Sequence, residues 1–194
     1  MIIKRLCSIL LFLFTFFIVT HATGNDGFDR TRRKTVEIAQ FVNLSNQQAS
    51  LITAAYTMYL ESIDSSLYLG MTSETAANVR YLAGKTFHNR LINILTERQL
   101  AQYVQGNFAP ELNAKSDYKV SLLEEEGNYS QSELQTMRSR IYNYLLQEKI
   151  VYFRHKYNYR AQKENISRLK KQQPACLVES NLIEKRAGQT GVIR

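Results

Sequence analysis

Residues 43–52 (NLSNQQASLI) and residues 94–103 (ILTERQLAQY) both contain the pattern Leu-[Ser/Thr]-x-x-Gln. A hydroxyl residue followed three positions later by glutamine is typical of a capping box, in which each side chain accepts a hydrogen bond from the other residue's backbone amide. The preceding leucine occupies the position of a hydrophobic staple. The repeat therefore predicts two helix starts.

A third capping box is predicted further along the chain, where a serine is followed by a glutamate. A helix cap stabilises a protein by about 1 kcal/mol, so we interpret all three as architectural. The predicted capping residues and staple leucines are Leu44, Ser45, Gln48, Leu95, Thr96, Gln99, Ser130 and Glu133.

The chain as a whole predicts an all-α fold. It contains 2 proline and 8 glycine residues, and its apolar residues recur every three or four positions, as in amphipathic helices. Two apolar stripes predict a helical hairpin that turns at Gly70. The first stripe contains Ile52, Ala55, Tyr56, Tyr59 and Ile63, and the second contains Val79, Leu82, Ala83, Phe87, Leu91 and Leu95.

The second half of the chain is predicted to contain an internal boundary and one long helix. The boundary is residues 105–117, around Pro110, and a short helix over 118–127 follows it. The long C-terminal helix is expected over 131–171, with a flexible tail at 173–194 that carries Cys176 as an inert thiol or as one that pairs between chains. The packing seam of the long helix is Leu134, Met137, Ile141, Leu145 and Tyr152. A helix of that length is expected to lie along other helices or along a second copy of the protein, as in an elongated dimer.

The first residues resemble a secretory signal peptide. Lys4 and Arg5 precede an apolar run at 6–19, which is shorter than the roughly 20 residues that cross a bilayer. An uncleaved anchor and acylation at Cys7 are the alternatives. We expect a signal peptide at 1–22, a single helical domain at 23–172, and a periplasmic or otherwise secreted protein.

The charge of the mature chain indicates anionic partners. Removing Lys4 and Arg5 leaves 23 basic against 17 acidic residues, a net charge of +6. Because exported proteins rarely meet nucleic acid, this charge favours acidic polypeptides or an anionic membrane or glycolipid surface. Residues 130–172 hold ten basic and three acidic residues, interleaved with tyrosines.

We predict a partner-binding surface on this basic segment, which combines aromatic burial with cation attraction. In the alternative, the tyrosines pack against other helices and the charges are only solvated. The candidate binding residues are Tyr152, Arg154, Lys156, Tyr159, Arg160 and Lys163.

Enzymatic chemistry is not indicated. The histidines, His21, His88 and His155, form no metal-ligand spacing, and no nucleophile elbow or other catalytic signature is present. We expect a non-enzymatic protein without a cofactor.

Two Leu-[Ser/Thr]-x-x-Gln motifs in an exported, basic, helical chain resemble the LTxxQ family of periplasmic proteins (Spy/CpxP-like). The resemblance covers residues 42–105 and departs from the family pattern at Ser45, which replaces threonine. It implies a cradle-like dimer of helical hairpins that binds unfolded or misfolded polypeptides without ATP. The alternative is a structural or regulatory envelope protein that docks one folded partner or the membrane.

Overall fold

The computed structural model describes residues 26–68, 70–127 and 129–189 of the chain. Within these residues the protein is all-α, with seven helices and no strand, which confirms the predicted fold class. The predicted signal peptide lies outside the described residues. The helices are α1 (Asp26–Ala39), α2 (Asn46–Tyr68), α3 (Ser73–Ile94), α4 (Glu97–Glu126), α5 (Gln131–Arg154), α6 (Tyr159–Lys170) and α7 (Ala175–Gln189).

The described chain divides into two compact units where we expected a single domain. The N-terminal unit consists of residues 26–40 and 44–94 and contains α1, α2 and α3. The C-terminal unit consists of residues 41–43 and 95–189 and contains α4 to α7.

The N-terminal unit is built on the predicted hairpin of α2 and α3. Gly70 in the connection has φ 59°, a left-handed conformation that glycine adopts without steric cost. Ile52 and Leu91 are buried as the apolar stripes predict. Leu82 is half exposed, however, so the second predicted stripe is wrong at that position.

An aromatic cluster links the two helices of the hairpin. The rings of Tyr56 and Tyr59 are stacked with centroids 5.5 Å apart, and Phe87 lies 5.3 Å from Tyr56 and 5.8 Å from Tyr59. These distances are typical of aromatic pairs that contribute beyond their buried area. The cluster therefore holds the middle of α2 against α3.

The boundary predicted at residues 105–117 is wrong, because α4 continues through Pro110 to Glu126. Pro110 is exposed to solvent, so a helical hydrogen bond lost there can be replaced by water. Buried Val104 and Leu112 flank it on the core side of the helix. Their burial outweighs the local penalty of the proline.

The long helix predicted over 131–171 is also wrong, because it is two helices, α5 and α6. Helix α5 ends at Arg154, and Asn158 starts α6 by accepting the Ala161 amide hydrogen at 3.1 Å. Leu134 and Ile141 of the predicted seam are buried. Tyr152, the last member of that seam, is 44% exposed.

The segment expected to be a flexible tail contributes a helix to the core. Leu177 and Ile183 of α7 are buried in one cluster with Leu123 of α4 and Ile141 of α5. Cys176 is buried in the same cluster, and burial raises the pKa of its thiol. The prediction of a flexible tail is therefore wrong for residues 175–189.

The short connection after α1 belongs to the C-terminal unit, where Phe41 lies against α4. Its ring makes an edge contact with Tyr103 at 6.2 Å between centroids. A Cβ atom added to Gly106 would lie 2.1 Å from the Phe41 ring. Gly106 thus allows the ring to approach the α4 backbone.

Candidate functional site

The first Leu-Ser-x-x-Gln motif forms the predicted capping box at the start of α2. The Gln48 amide donates to the Ser45 hydroxyl at 3.1 Å, and the Ser45 amide donates to Gln48 Oε1 at 3.1 Å. Gln48 Nε2 also donates to the carbonyl oxygen of Ile94, at the end of α3, at 2.9 Å. One glutamine therefore joins the start of α2 to the end of α3.

The second motif repeats this arrangement in the C-terminal unit. The Gln99 amide donates to Thr96 Oγ1 at 3.2 Å, and the Thr96 amide donates to Gln99 Oε1 at 3.0 Å. Gln99 Nε2 donates to the carbonyl oxygen of Asn43 at 2.7 Å. Leu95, the predicted staple residue, is buried.

Gln48 and Gln99 make the same pattern of hydrogen bonds, which the sequence did not predict. Each accepts with its carbonyl oxygen in its own capping box and donates with its amide to the residue just before the leucine of the other motif, Ile94 or Asn43. The bonds of Gln48 and Gln99 are thus satisfied by the protein's own backbone. This pattern favours architecture over ligand binding.

The third predicted capping box, at the start of α5, is present. The Ser130 amide donates to Glu133 Oε2 at 2.8 Å, and the Glu133 amide donates to the Ser130 hydroxyl at 3.4 Å. The Ser130 hydroxyl and amide hold the pKa of the Glu133 carboxyl below its ordinary value. The cap therefore favours the ionised form of Glu133.

The six predicted partner-binding residues do not lie along one helix, because the break at residues 155–158 separates them. Arg154, at the end of α5, pairs with Glu97, and that guanidinium holds the pKa of the glutamate below its ordinary value. Arg160 pairs with Glu164 at 3.0 Å. These two cations are partly neutralised.

The rest of the basic segment keeps its charge. Residues 156–171 contain six basic residues and one acidic residue, Glu164. Within the described part of the chain, five of the six basic side chains form no ion pair, and all five are exposed. They are Lys156, Lys163, Arg168, Lys170 and Lys171.

Two tyrosines accompany these charges on the surface. Tyr159 is 75% exposed and Tyr152 is 44% exposed, and Lys156 Nζ lies 5.3 Å from the centroid of Tyr157. The structure therefore places Tyr152 and Tyr159 at the surface instead of in the core. Between α5 and α6, basic and aromatic side chains remain accessible together.

A second candidate region, absent from our sequence predictions, lies on the hairpin of the N-terminal unit. A groove of about 500 Å³ runs between the start of α2 and the end of α3. The residues that line it are Gln47, Gln48, Leu51, Ala54, Ala55, Arg90, Asn93 and Ile94.

Exposed apolar side chains extend over all three helices of the N-terminal unit. Each is about half exposed or more, although large apolar side chains are usually buried. The sequence signal that could have predicted this surface is the presence of apolar residues outside the predicted stripes, such as Leu51 and Met58. The full set is Val36, Leu51, Met58, Leu67, Tyr81 and Leu82.

The histidine, cysteine and carboxylate side chains of the described residues do not cluster into a metal site. No group of three or more histidine, cysteine, aspartate or glutamate side chains there could hold a metal ion. His88 is buried, and His155 Nε2 lies 3.3 Å from Asn165 Nδ2. Burial, followed by the nearby Arg154 charge, lowers the pKa of His155.

None of the described helices combines the length and apolarity needed to cross a bilayer. No protein-family model, curated protein or solved structure matches this chain. The resemblance to the LTxxQ family therefore remains a hypothesis that rests on the two motifs.

Proposed function

We propose that this protein is an exported, non-enzymatic chaperone-like protein that binds unfolded polypeptides without ATP. The observation that carries the proposal is the set of exposed apolar side chains on the N-terminal unit, including Leu51, Met58 and Leu82. Covering apolar surface yields about 25 cal/mol per Å². An unfolded chain, which exposes its own apolar residues, is the partner that gains most from such contacts.

The character of these side chains supports binding to varied sequences. Met58 is flexible and polarisable, a property that suits surfaces which adapt to several partners. Tyr81 combines a large apolar ring with a polar hydroxyl. The surface therefore offers contact area without a single rigid shape.

The basic segment supports a preference for acidic clients. Lys163, Lys170 and Lys171 are exposed cations without ion pairs in the described residues. Exposed charges attract an oppositely charged chain over the Debye length, about 8 Å at physiological ionic strength. We expect them to increase the rate of encounter, while the apolar surface retains the client.

Light scattering of several unrelated denatured proteins, without ATP, tests this function. The parent protein should suppress aggregation at near-stoichiometric ratios. Leu51→Ser with Leu82→Ser should reduce suppression, because both side chains would lose apolar contact area. The matched control is Val178→Ser with Leu182→Ser, which alters exposed apolar residues of α7 and should leave suppression unchanged.

Two results would contradict the proposal in different ways. Absence of suppression by the parent protein for every client would exclude the chaperone-like function. Equal loss in both double variants would place the working surface elsewhere.

The second candidate function is docking to one folded envelope protein or to an anionic membrane surface. Five exposed cations at 156–171 that form no ion pair within the described residues, together with exposed Tyr159, favour it. Sedimentation with vesicles containing anionic lipid would measure membrane docking. The triple variant Lys163→Gln, Lys170→Gln, Lys171→Gln should lower it, and Arg80→Gln, Arg98→Gln, Lys185→Gln is the control of equal charge. Binding unaffected by either triple variant would contradict this candidate.

We also propose secretion to the periplasm and assembly into a homodimer. The basic residues Lys4 and Arg5 ahead of a short apolar run support secretion. Mass spectrometry of the protein from cell envelopes should show an N-terminus between Thr20 and Asn25. Light scattering coupled to gel filtration should give the mass of a dimer.

A further inference from the structure

We propose that the groove between α2 and α3 binds a peptide segment in which a carboxylate side chain adjoins an apolar one. This inference rests on the proposed polypeptide-binding function and assigns it a specific subsite. Two observations support the inference: polar side chains line the groove, and apolar side chains line the same groove beside them.

Arg90 supplies a guanidinium that pairs with no carboxylate among the residues that the structure describes. Its only described contact is with Met58, where Nη1 lies 2.7 Å from Sδ. A thioether sulfur is a weak acceptor, so the guanidinium retains donors for a stronger one. A carboxylate can accept two parallel hydrogen bonds from guanidinium, which makes it the best-matched anion in a polypeptide.

Two side-chain amides lie in the same groove. Gln47 and Asn93 line it and are exposed, and their side chains make no hydrogen bond within the described residues. Each amide carries both a donor and an acceptor. Gln48, by contrast, is bonded to Ser45 and Ile94, so it forms part of the wall.

The floor is apolar. Leu51, Ala54, Ala55 and Ile94 line it, and Leu51 is 47% exposed. An apolar side chain placed there would remove both its own surface and that of Leu51 from water. A volume of about 500 Å³ falls in the range of about 300–1,000 Å³ typical of ligand sites.

A peptide fits these features better than a free fatty acid. The carboxylate of either could pair with Arg90, and the hydrocarbon of either could cover Leu51. Only a peptide also offers backbone N–H and C=O groups to the amides of Gln47 and Asn93. The charge is complementary as well, since no acidic residue lines the groove.

Fluorescence anisotropy with two short labelled peptides tests the inference. One has a Leu-Glu-Leu core, and its twin has Leu-Gln-Leu. The parent protein should bind the glutamate peptide about tenfold more tightly, which corresponds to about 1.4 kcal/mol. Arg90→Gln should remove this preference and leave the binding of the glutamine peptide nearly unchanged.

A second variant tests the floor independently of charge. Ala54→Leu adds a side chain at an exposed position of the groove, so it should weaken both peptides without disturbing the core. The controls are Arg80→Gln and Ala77→Leu, which alter exposed residues of α3 outside the groove lining. Both controls should bind like the parent.

The outcomes separate the subsite from the general function. If the parent suppresses aggregation but Arg90→Gln and Ala54→Leu bind both peptides normally, the groove assignment is overturned and the proposed function stands. If the parent neither suppresses aggregation nor binds peptide, both proposals fail. Binding of laurate at the groove without binding of either peptide would overturn the peptide assignment.

Discussion

The N-terminal and C-terminal units use their surfaces differently. In the described residues, the C-terminal unit contains seven ion pairs, whereas the N-terminal unit contains two. The N-terminal unit exposes six large apolar side chains on three helices, and the longer C-terminal unit exposes five. The units therefore differ mainly in their surface ion pairs, while both leave large apolar side chains in contact with water.

Glu111 illustrates how the C-terminal unit uses its charges. Its carboxyl pairs with Lys115 at 2.8 Å and with Lys149 of the next helix at 2.7 Å. Both lysines lower the pKa of Glu111 through hydrogen bonds. Lys149 Nζ also lies 4.2 Å from the ring centroid of Phe108. Glu111 therefore joins α4 to α5 through its ion pair with Lys149.

The largest effect should come from the core of the C-terminal unit. Leu177→Ala should lower the free energy of unfolding by about 2–5 kcal/mol, because it removes a fully buried side chain and leaves a cavity. Leu182→Ala on the same helix, where the side chain is 56% exposed, should change it by less than about 0.5 kcal/mol. Denaturant unfolding measures both. If Leu177→Ala lowered the free energy of unfolding as little as Leu182→Ala does, α7 would not contribute to the core.

Removing a helix cap should have a smaller effect. Thr96→Ala should lower the free energy of unfolding by about 0.5–2 kcal/mol, since the Gln99 amide would lose its acceptor. Thr96→Ser keeps the hydroxyl and should retain most of that stability. Denaturant melts and client binding should be measured together. Unchanged stability with abolished binding in Thr96→Ala would make the motif a contact site.

Acid should weaken the C-terminal unit through its ion pairs. Glu111, Asp117 and Glu184 each have a lowered pKa because of hydrogen bonds from lysine or arginine. The folded state therefore binds fewer protons, so this stabilisation is present above the ordinary carboxyl values of 4.5 and 3.8. It is lost as the pH falls through the lower folded values.

Urea unfolding at a series of pH values measures this loss, which should amount to about 0.2–1 kcal/mol per exposed pair. Glu111→Gln should reduce the slope below the ordinary glutamate value. A steeper acid slope in that variant would contradict the assignment.

The smallest change in stability should follow substitution of the exposed apolar residues. Leu51→Ser with Leu82→Ser should alter the free energy of unfolding by less than about 0.5 kcal/mol per site, because both side chains already contact water. Thermal and denaturant melts measure this effect. A large destabilisation would mean that these residues belong to the core and are not free to contact a client.

Local features of the fold could be predicted from the sequence. The capping boxes at Ser45, Thr96 and Ser130 depend on residues three positions apart, so the information lies within one helical turn. Gly70 was predicted as the turn of the hairpin for a similar local reason. The second bond of Gln48, to Ile94, could not be predicted because it depends on tertiary packing.

The predictions were wrong where the helix-breaking or helix-capping preference of one residue competes with burial of its apolar neighbours. Pro110 indicated a boundary, but Val104 and Leu112 keep α4 continuous. Conversely, Asn158 is a good cap residue inside an otherwise helical pattern, and it starts a new helix. The sequence did not predict the groove, because apolar periodicity identifies the buried face of a helix and does not show which other residues line a groove on its surface.

The path of the chain between the units limits how the protein can be divided. Phe41 and Asn43 lie in the C-terminal unit although residues on both sides of them belong to the N-terminal unit. A fragment beginning at Leu95 would therefore lack the ring that contacts Tyr103 and the carbonyl that accepts from Gln99. The two units are not modules that gene fusion or truncation could exchange at a single junction, and insertion or deletion in residues 41–43 would alter both at once.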